Sequence, residues 1–124
     1  MKKILIIEDD PGILEILAHI FNTDIFEPLT SSLSLPVDLI TCLSPDVILL
    51  DHWLGDRLGG DLCKEIKAHP SVSQIQVIML SAHHDLAEVA TNSHADGYMK
   101  KPFDIDRLYK YVEGFANGSQ VAVG

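Results

Sequence analysis

Four short apolar runs in this 124-residue chain each end on a reactive polar side chain. Residues 4–7 lead into Glu8, Asp9 and Asp10, residues 47–50 into Asp51, residues 77–80 into Ser81, and residues 98–99 into Lys100 and Lys101. Short continuous apolar runs bounded by turn signals read as strands buried on both faces, the kind that parallel sheets contain. If the four are neighbours, their carboxyl ends share one edge, where open α/β sheets bind ligands. Carboxylates, a hydroxyl and an ammonium would then converge. That mixture suits a divalent cation and a phosphoryl group better than it suits a packed core.

The stretches between the runs carry the helical period. Pro11 fits a helix start, where its missing N–H costs nothing, and Asp9 or Asp10 can cap. Ile13, Leu14, Leu17, Ile20 and Phe21 then predict a helix over about residues 11–22 with one apolar stripe. Residues 26–32 read as a short strand interrupted by Pro28, and residues 35–43 as a helix opening at Pro36. Further helices are expected at about 60–68, stopped by Pro70, at 85–93, and beyond Asp104, where Ile105, Leu108, Tyr109, Val112 and Phe115 line one face. Five strands alternating with five helices predict a single α/β domain, a parallel sheet covered on both faces. Residues 1–118 are assigned to it, and 119–124 to a tail or the start of a linker.

Nine basic against eighteen acidic residues give a formal charge of −9. The field of such a domain opposes non-specific contact with nucleic acid, so direct DNA binding by this segment is not expected. The longest apolar stretch is far short of the roughly 20 residues that span a bilayer, and Met1-Lys2-Lys3 followed by four apolar residues is too short for a secretory signal. The expectation is a cytoplasmic protein. Cys42 and Cys63 make no C-x-x-C pattern and fall in predicted helices, so both are expected to be buried, reduced thiols.

Adjacent acids at a strand end can simply cap the next helix and favour its positive end. Asp51 at the end of a second buried strand adds a stronger demand. Two unit charges 4 Å apart repel by roughly 4 kcal/mol at an effective dielectric of about 20, so clustered carboxylates need a cation or some protonation. Mg2+ answers this, being a hard ion that takes one or two carboxylates and leaves positions for phosphate oxygens. A carboxylate beside such an ion can act as a nucleophile toward phosphorus, with Lys101 and the metal offsetting charge on the phosphoryl oxygens and Ser81 donating to one of them.

The segments KILIIEDDPGILEIL, PDVILLDHWLGDRLGGDLCKEIK, VIMLSAH and GYMKKPF, in that order and spacing, resemble the receiver domain of bacterial two-component response regulators. The likeness spans about residues 2–116. It implies a doubly wound, flavodoxin-like (βα)5 fold with strand order 2-1-3-4-5. It also implies that Asp51 is the phosphoacceptor, served by a sensor histidine kinase or a histidine phosphotransfer protein. Asp9 and Asp51 would bind Mg2+ directly, Glu8 through water, and the Trp53 backbone carbonyl would complete the protein ligands. Lys101 would pair with the phosphoryl group and precede a cis bond to Pro102. Ser81 and Tyr98 match the switch pair that repacks the face of the fourth helix, fifth strand and fifth helix. A phosphorylation-dependent homodimer belongs to the same implication, as does docking of a partner's helical bundle on the first helix around Glu15 and His19.

Some positions depart from the family pattern. Gly55 stands where the family usually has Pro, which predicts a looser loop after Asp51. Trp53 and His83, each two positions beyond a site residue, flank the expected path of the hydrolytic water, and bulky Trp53 is expected to shield the acyl phosphate. The six histidines lack metal-ligand spacing beyond the adjacent His83-His84, and most are expected to be solvated or at helix ends. Two other readings compete with this one. One is a receiver-like interaction domain that is never phosphorylated; the other is a haloacid-dehalogenase-type phosphatase, although the D-x-D of that family is missing. In the first reading the chain is not an enzyme, apart from promoting its own phosphotransfer and dephosphorylation.

Overall fold

The apolar runs pair directly, because strands with no polar face can bury both sides only inside a sheet covered by helices. The structure, a computed structural model, describes residues 1–118; the expected tail, 119–124, lies outside them. In chain order the elements are β1 (Lys2–Ile7), α1 (Pro11–Ile20), β2 (Phe26–Ser31), α2 (Val37–Leu43), β3 (Val47–Leu50), α3 (Gly59–Ala68), β4 (Gln76–Ser81), α4 (Leu86–Ser93), β5 (Gly97–Lys100) and α5 (Ile105–Ala116). All four strand pairs are parallel, in the order β2-β1-β3-β4-β5.

Alternate residues of each strand feed opposite faces, as the pleat requires. Leu5, Ile7, Ile48, Leu50, Val77 and Met79 pack against α2, α3 and α4, meeting Ile40, Leu62, Ile66 and Leu86. Ile4, Ile6, Val47, Leu49, Ile78 and Leu80 pack against α1 and α5, meeting Leu17, Phe21, Leu108, Val112 and Phe115. Burying one such aliphatic side chain is worth about 1.5–3 kcal/mol, so the two faces dominate the stability of the sheet.

The segment with the least legible pattern, residues 23–45, resolves through its place in the sheet. β2 is an edge strand, and there Pro28, paired opposite Ile4, forfeits no central hydrogen bond. Pro36 occupies the N-cap position of α2, as its place before the apolar residues suggests, with no side-chain capping bond. Asp10, rather than Asp9, caps α1, accepting from the Gly12 and Ile13 amides at 2.9 and 3.1 Å. Asp104 caps α5, accepting from the Asp106 amide at 3.0 Å.

One thiol departs from expectation. Cys63 is fully buried, but Cys42 is exposed on α2, because the buried stripe of that short helix is carried by Val37 and Ile40. At the amino-terminal edge of the sheet, Lys67 at the end of α3 meets Asp96 at 2.5 Å and donates to the Ile75 carbonyl at 2.6 Å. Asp96 also accepts from the Val77 amide, which ties α3 to the starts of β4 and β5.

α3 begins on Gly59 because nothing larger fits. A β-carbon there would lie 1.9 Å from the Asp51 carbonyl oxygen, a backbone atom that cannot rotate away. Gly59→Ala is therefore expected to lower stability by about 3 kcal/mol or more. A urea melt showing a midpoint close to wild type would contradict this packing.

Candidate functional site

The helices change sides of the sheet between β1 and β3, and a crevice opens at the carboxyl ends of those two strands. The parallel ladder runs to the lip of that crevice. Ile7 sits opposite Leu50, and the Asp51 amide donates to the Ile7 carbonyl at 3.0 Å. Glu8 and Asp51 thus leave adjacent strands side by side, Glu8 1% and Asp51 6% exposed, while Asp9 faces solvent. One carboxylate oxygen from each of the three lies within 4.8 Å of the others.

β5 brings the counter-charge. Lys101 Nζ stands 2.5 Å from Glu8 Oε1 and 3.4 Å from Asp51 Oδ2. Its backbone amide donates to the Ser81 carbonyl, extending the β4–β5 ladder, and the Lys101–Pro102 peptide is cis. One ammonium does not balance three carboxylates. Burial, with the neighbouring Asp51 carboxylate adding to it, pushes the Glu8 carboxyl up to about 7 against the opposing pull of Lys101. The crevice is therefore short of positive charge, and its oxygen-only donor set is of the kind that hard cations take.

Ser81 ends β4 fully buried, its Oγ accepting from the His83 amide at 3.3 Å. Tyr98 is half-buried on β5 against the cluster of α3 and α4, and its amide donates to the Tyr111 hydroxyl of α5 at 3.2 Å. Burial raises the Tyr111 phenol above its usual range. Lys100 is exposed and reaches the His84 carbonyl at 3.1 Å. Beside Lys101, an open groove of about 490 Å³ is lined by Ile13, Ile16, Phe103 and Ile105.

The loop after Asp51, which contains Gly55, is tied to its surroundings at several points. Trp53 and Leu58 form an antiparallel bridge, the Gly59 amide donates to the His52 carbonyl at 2.7 Å, and the Trp53 amide donates to Asp51 Oδ1 at 3.3 Å. At its tip the Asp56 carboxylate accepts from both the amide and the hydroxyl of Ser34, which hold it below the usual carboxylate range. A side chain 22 residues away thus does the anchoring. No local pattern could have revealed it.

His52 also departs from expectation, being buried rather than solvated. Its Nδ1 accepts from the Gly60 amide at 3.1 Å, which requires an unprotonated nitrogen there; burial, with His83 next, lowers its pKa accordingly. Trp53, half exposed, stacks on His83 with ring centroids 5.1 Å apart, and His83 stacks in turn on His84. An aromatic wall therefore flanks Asp51 between the β3–α3 and β4–α4 loops.

The sequence and the fold have counterparts among known proteins. The family model described as "Response regulator receiver domain" matches residues 4–113. The transcriptional regulatory protein KdpE of Staphylococcus aureus is 37% identical over 125 aligned positions, covering 96% of this chain and 53% of that protein. Sporulation initiation phosphotransferase F of Bacillus subtilis is 28% identical, covering 92% of this chain and 93% of its own length. The solved signal receiver domain of a signal transduction histidine kinase from Syntrophus aciditrophicus superposes with a TM-score of 0.82 at 26% identity, covering 95% of this chain and 92% of that one. The chain spans about half the length of several of the curated relatives it matches.

The raised Glu8 carboxyl gives a signed pH dependence. In metal-free buffer its contribution to stability is fully present below about 4.5 and is lost as pH rises through about 7. Thermal melts of the wild type are expected to fall relative to those of Glu8→Gln across that window. Parallel curves for the two proteins would show that Glu8 is not the titrating group.

Proposed function

The chain belongs to the response regulator receiver domain family of two-component systems, and from that premise we propose that it is a phosphoacceptor modified on Asp51. The observation that carries this reading is the meeting of Glu8, Asp51 and Lys101 at the ends of three separate strands. A buried acid cluster costs stability, and one near neutral protonation is poorly explained by packing alone.

The acids fit Mg2+: Asp9 and Asp51 would hold it directly, Glu8 through water, and the Trp53 carbonyl would complete the set. Once bound, that ion supplies charge neutralisation for phosphoryl transfer. An Asp51 carboxylate oxygen attacks phosphorus as the bond to the donor imidazole nitrogen breaks, and the departing imidazole keeps that electron pair and is protonated by solvent. Lys101 leaves its ion pair with Glu8 to meet the phosphoryl oxygens, and the Ser81 hydroxyl turns to donate to another. Movement of Ser81 opens room into which the Tyr98 ring shifts, changing the surface of α4, β5 and α5.

The donor is a phosphohistidine on a sensor histidine kinase or a phosphotransfer protein. The apolar groove between α1 and the loop after β5 lies beside Lys101, next to the exposed Ile16 and Ile105, and supports docking of a helical bundle there. The relative matched nearly end to end is named a phosphotransferase, which supports a relay role in which Asp51 also passes the group on.

Incubation with acetyl phosphate and Mg2+ is expected to add the mass of one phosphate to wild type and none to Asp51→Asn. No gain under any donor condition would overturn the reading in favour of an unphosphorylated interaction domain. The wall formed by Trp53 on His83 is expected to exclude the hydrolytic water. Trp53→Asn should then lose the label several-fold faster, measured as decay after donor removal; an unchanged rate removes shielding from the account.

A further inference from the structure

Outside the acid cluster, a second group of ligating side chains stands together in the loop after β4. His83, His84 and Asp85 each place one ligand atom within 4.8 Å of the other two. Asp85 occupies the N-cap of α4, yet its carboxylate makes no capping hydrogen bond. An N-cap aspartate ordinarily spends its oxygen on the amides of the first turn. Here the oxygen instead stands 3.0 Å from His84 Nε2. The two imidazoles lie almost parallel, 4° apart, and His83 Nδ1 accepts from the Asp85 amide at 3.0 Å. That bond needs a free lone pair on the ring, which is also what a metal needs.

We propose that His83, His84 and Asp85 form a binding site for a borderline divalent cation of the Zn2+ class, separate from the acid cluster at Asp51. The donor sets differ in kind. Two imidazoles and a carboxylate suit Zn2+, Ni2+ or Cu2+, whereas the oxygen-only cluster suits Mg2+. Ligands around a tetrahedral ion with bonds of about 2.1 Å stand roughly 3.4 Å apart. Stacked rings hold their nitrogen lone pairs in parallel planes, so His84 swings out of the stack to share an ion with His83; the His84 and Asp85 side chains are 86% and 56% exposed and can make that rotation without disturbing the core. On His83 the ion replaces the Asp85 amide as the partner of Nδ1, and the freed amide meets solvent. The formal charge of −9 raises the cation concentration near the surface.

The position of the site gives it a consequence. The His83 ring lies against Trp53, and the His83 amide holds Ser81 Oγ. An ion gripping His83 therefore fixes both the aromatic wall and the loop that carries the Ser81 contact. Zn2+ is expected to slow loss of the phosphoryl group, a consequence that rests on the phosphoacceptor reading, whereas binding of the ion does not.

The test is calorimetric titration of Zn2+ into protein free of any histidine tag, with Mg2+ saturating throughout. One Zn2+ per chain is expected, retained in Asp51→Asn and in His94→Ala, and weakened by about tenfold or more in His84→Ala and Asp85→Asn. Absence of saturable binding, competition by Mg2+, or an affinity unchanged in His84→Ala and Asp85→Asn would overturn the site. The isotherms are recorded without a phosphodonor, so failure of this site is distinct from failure of the phosphoacceptor reading, which the mass gain with acetyl phosphate tests. Dephosphorylation of wild type slowed by Zn2+, with His84→Ala unaffected, supports the consequence; equal rates with and without Zn2+ overturn it.

Discussion

The parallel pairing of β1 with β3 is the interaction on which the rest of the molecule depends. Backbone hydrogen bonds along Ile4 to Ile7 and Val47 to Leu50 put two strand ends level, and the Asp51 amide on the Ile7 carbonyl adds the last rung. Two carboxylates that repel in water are thereby held together in a buried place. Their mutual cost is supported by the apolar faces above and below, where alternate residues of the same strands are fully buried. Fold stability and stored electrostatic demand thus come from the same ladder. The helices switch faces at this point, which leaves the ends open to a ligand.

Lys101 relieves that demand in part. It reaches the crevice from the far side of β4, so closing the ion pair requires β3, β4 and β5 to be in register. With Glu8 raised to about 7, the crevice remains receptive to added positive charge. The surrounding loops are held by contacts of longer range: Ser34 on Asp56, Gly60 on His52, Trp53 on His83. They give the acid cluster a fixed wall on one side and leave the α1 side open. A partner approaching Asp51 has the apolar groove beside Lys101 available, away from the aromatic stack.

Legibility in the sequence followed the range of the interactions. Strands β1, β3 and β4 are readable because each holds an unbroken run of four apolar residues, and α1 and α5 because their apolar residues recur at the helical period. β2 was obscured by Pro28, whose tolerance depends on an edge position that only the sheet order assigns. The exposure of Cys42 is not legible because α2 is too short for its stripe to declare which side is covered. The anchoring of the Gly55 loop rests on Ser34, 22 residues away in the segment between β2 and α2, and the burial of His52 on Gly60, 8 residues on in the first turn of α3. Neither leaves a local pattern.

The sequence by itself determined the element types and the chemical inventory, since apolar periodicity and strand-end residues such as Glu8, Asp51, Ser81 and Lys101 are properties of the chain alone. Tertiary structure decided how that inventory is shared out. Asp10 became a helix cap, Asp9 stayed in solvent, and Glu8 was driven toward neutrality, although the three are adjacent in sequence. Capping, exposure and proton affinity depend on local geometry, burial and neighbouring charge, and for Glu8 the decisive neighbours, Asp51 and Lys101, come from strands distant in the chain.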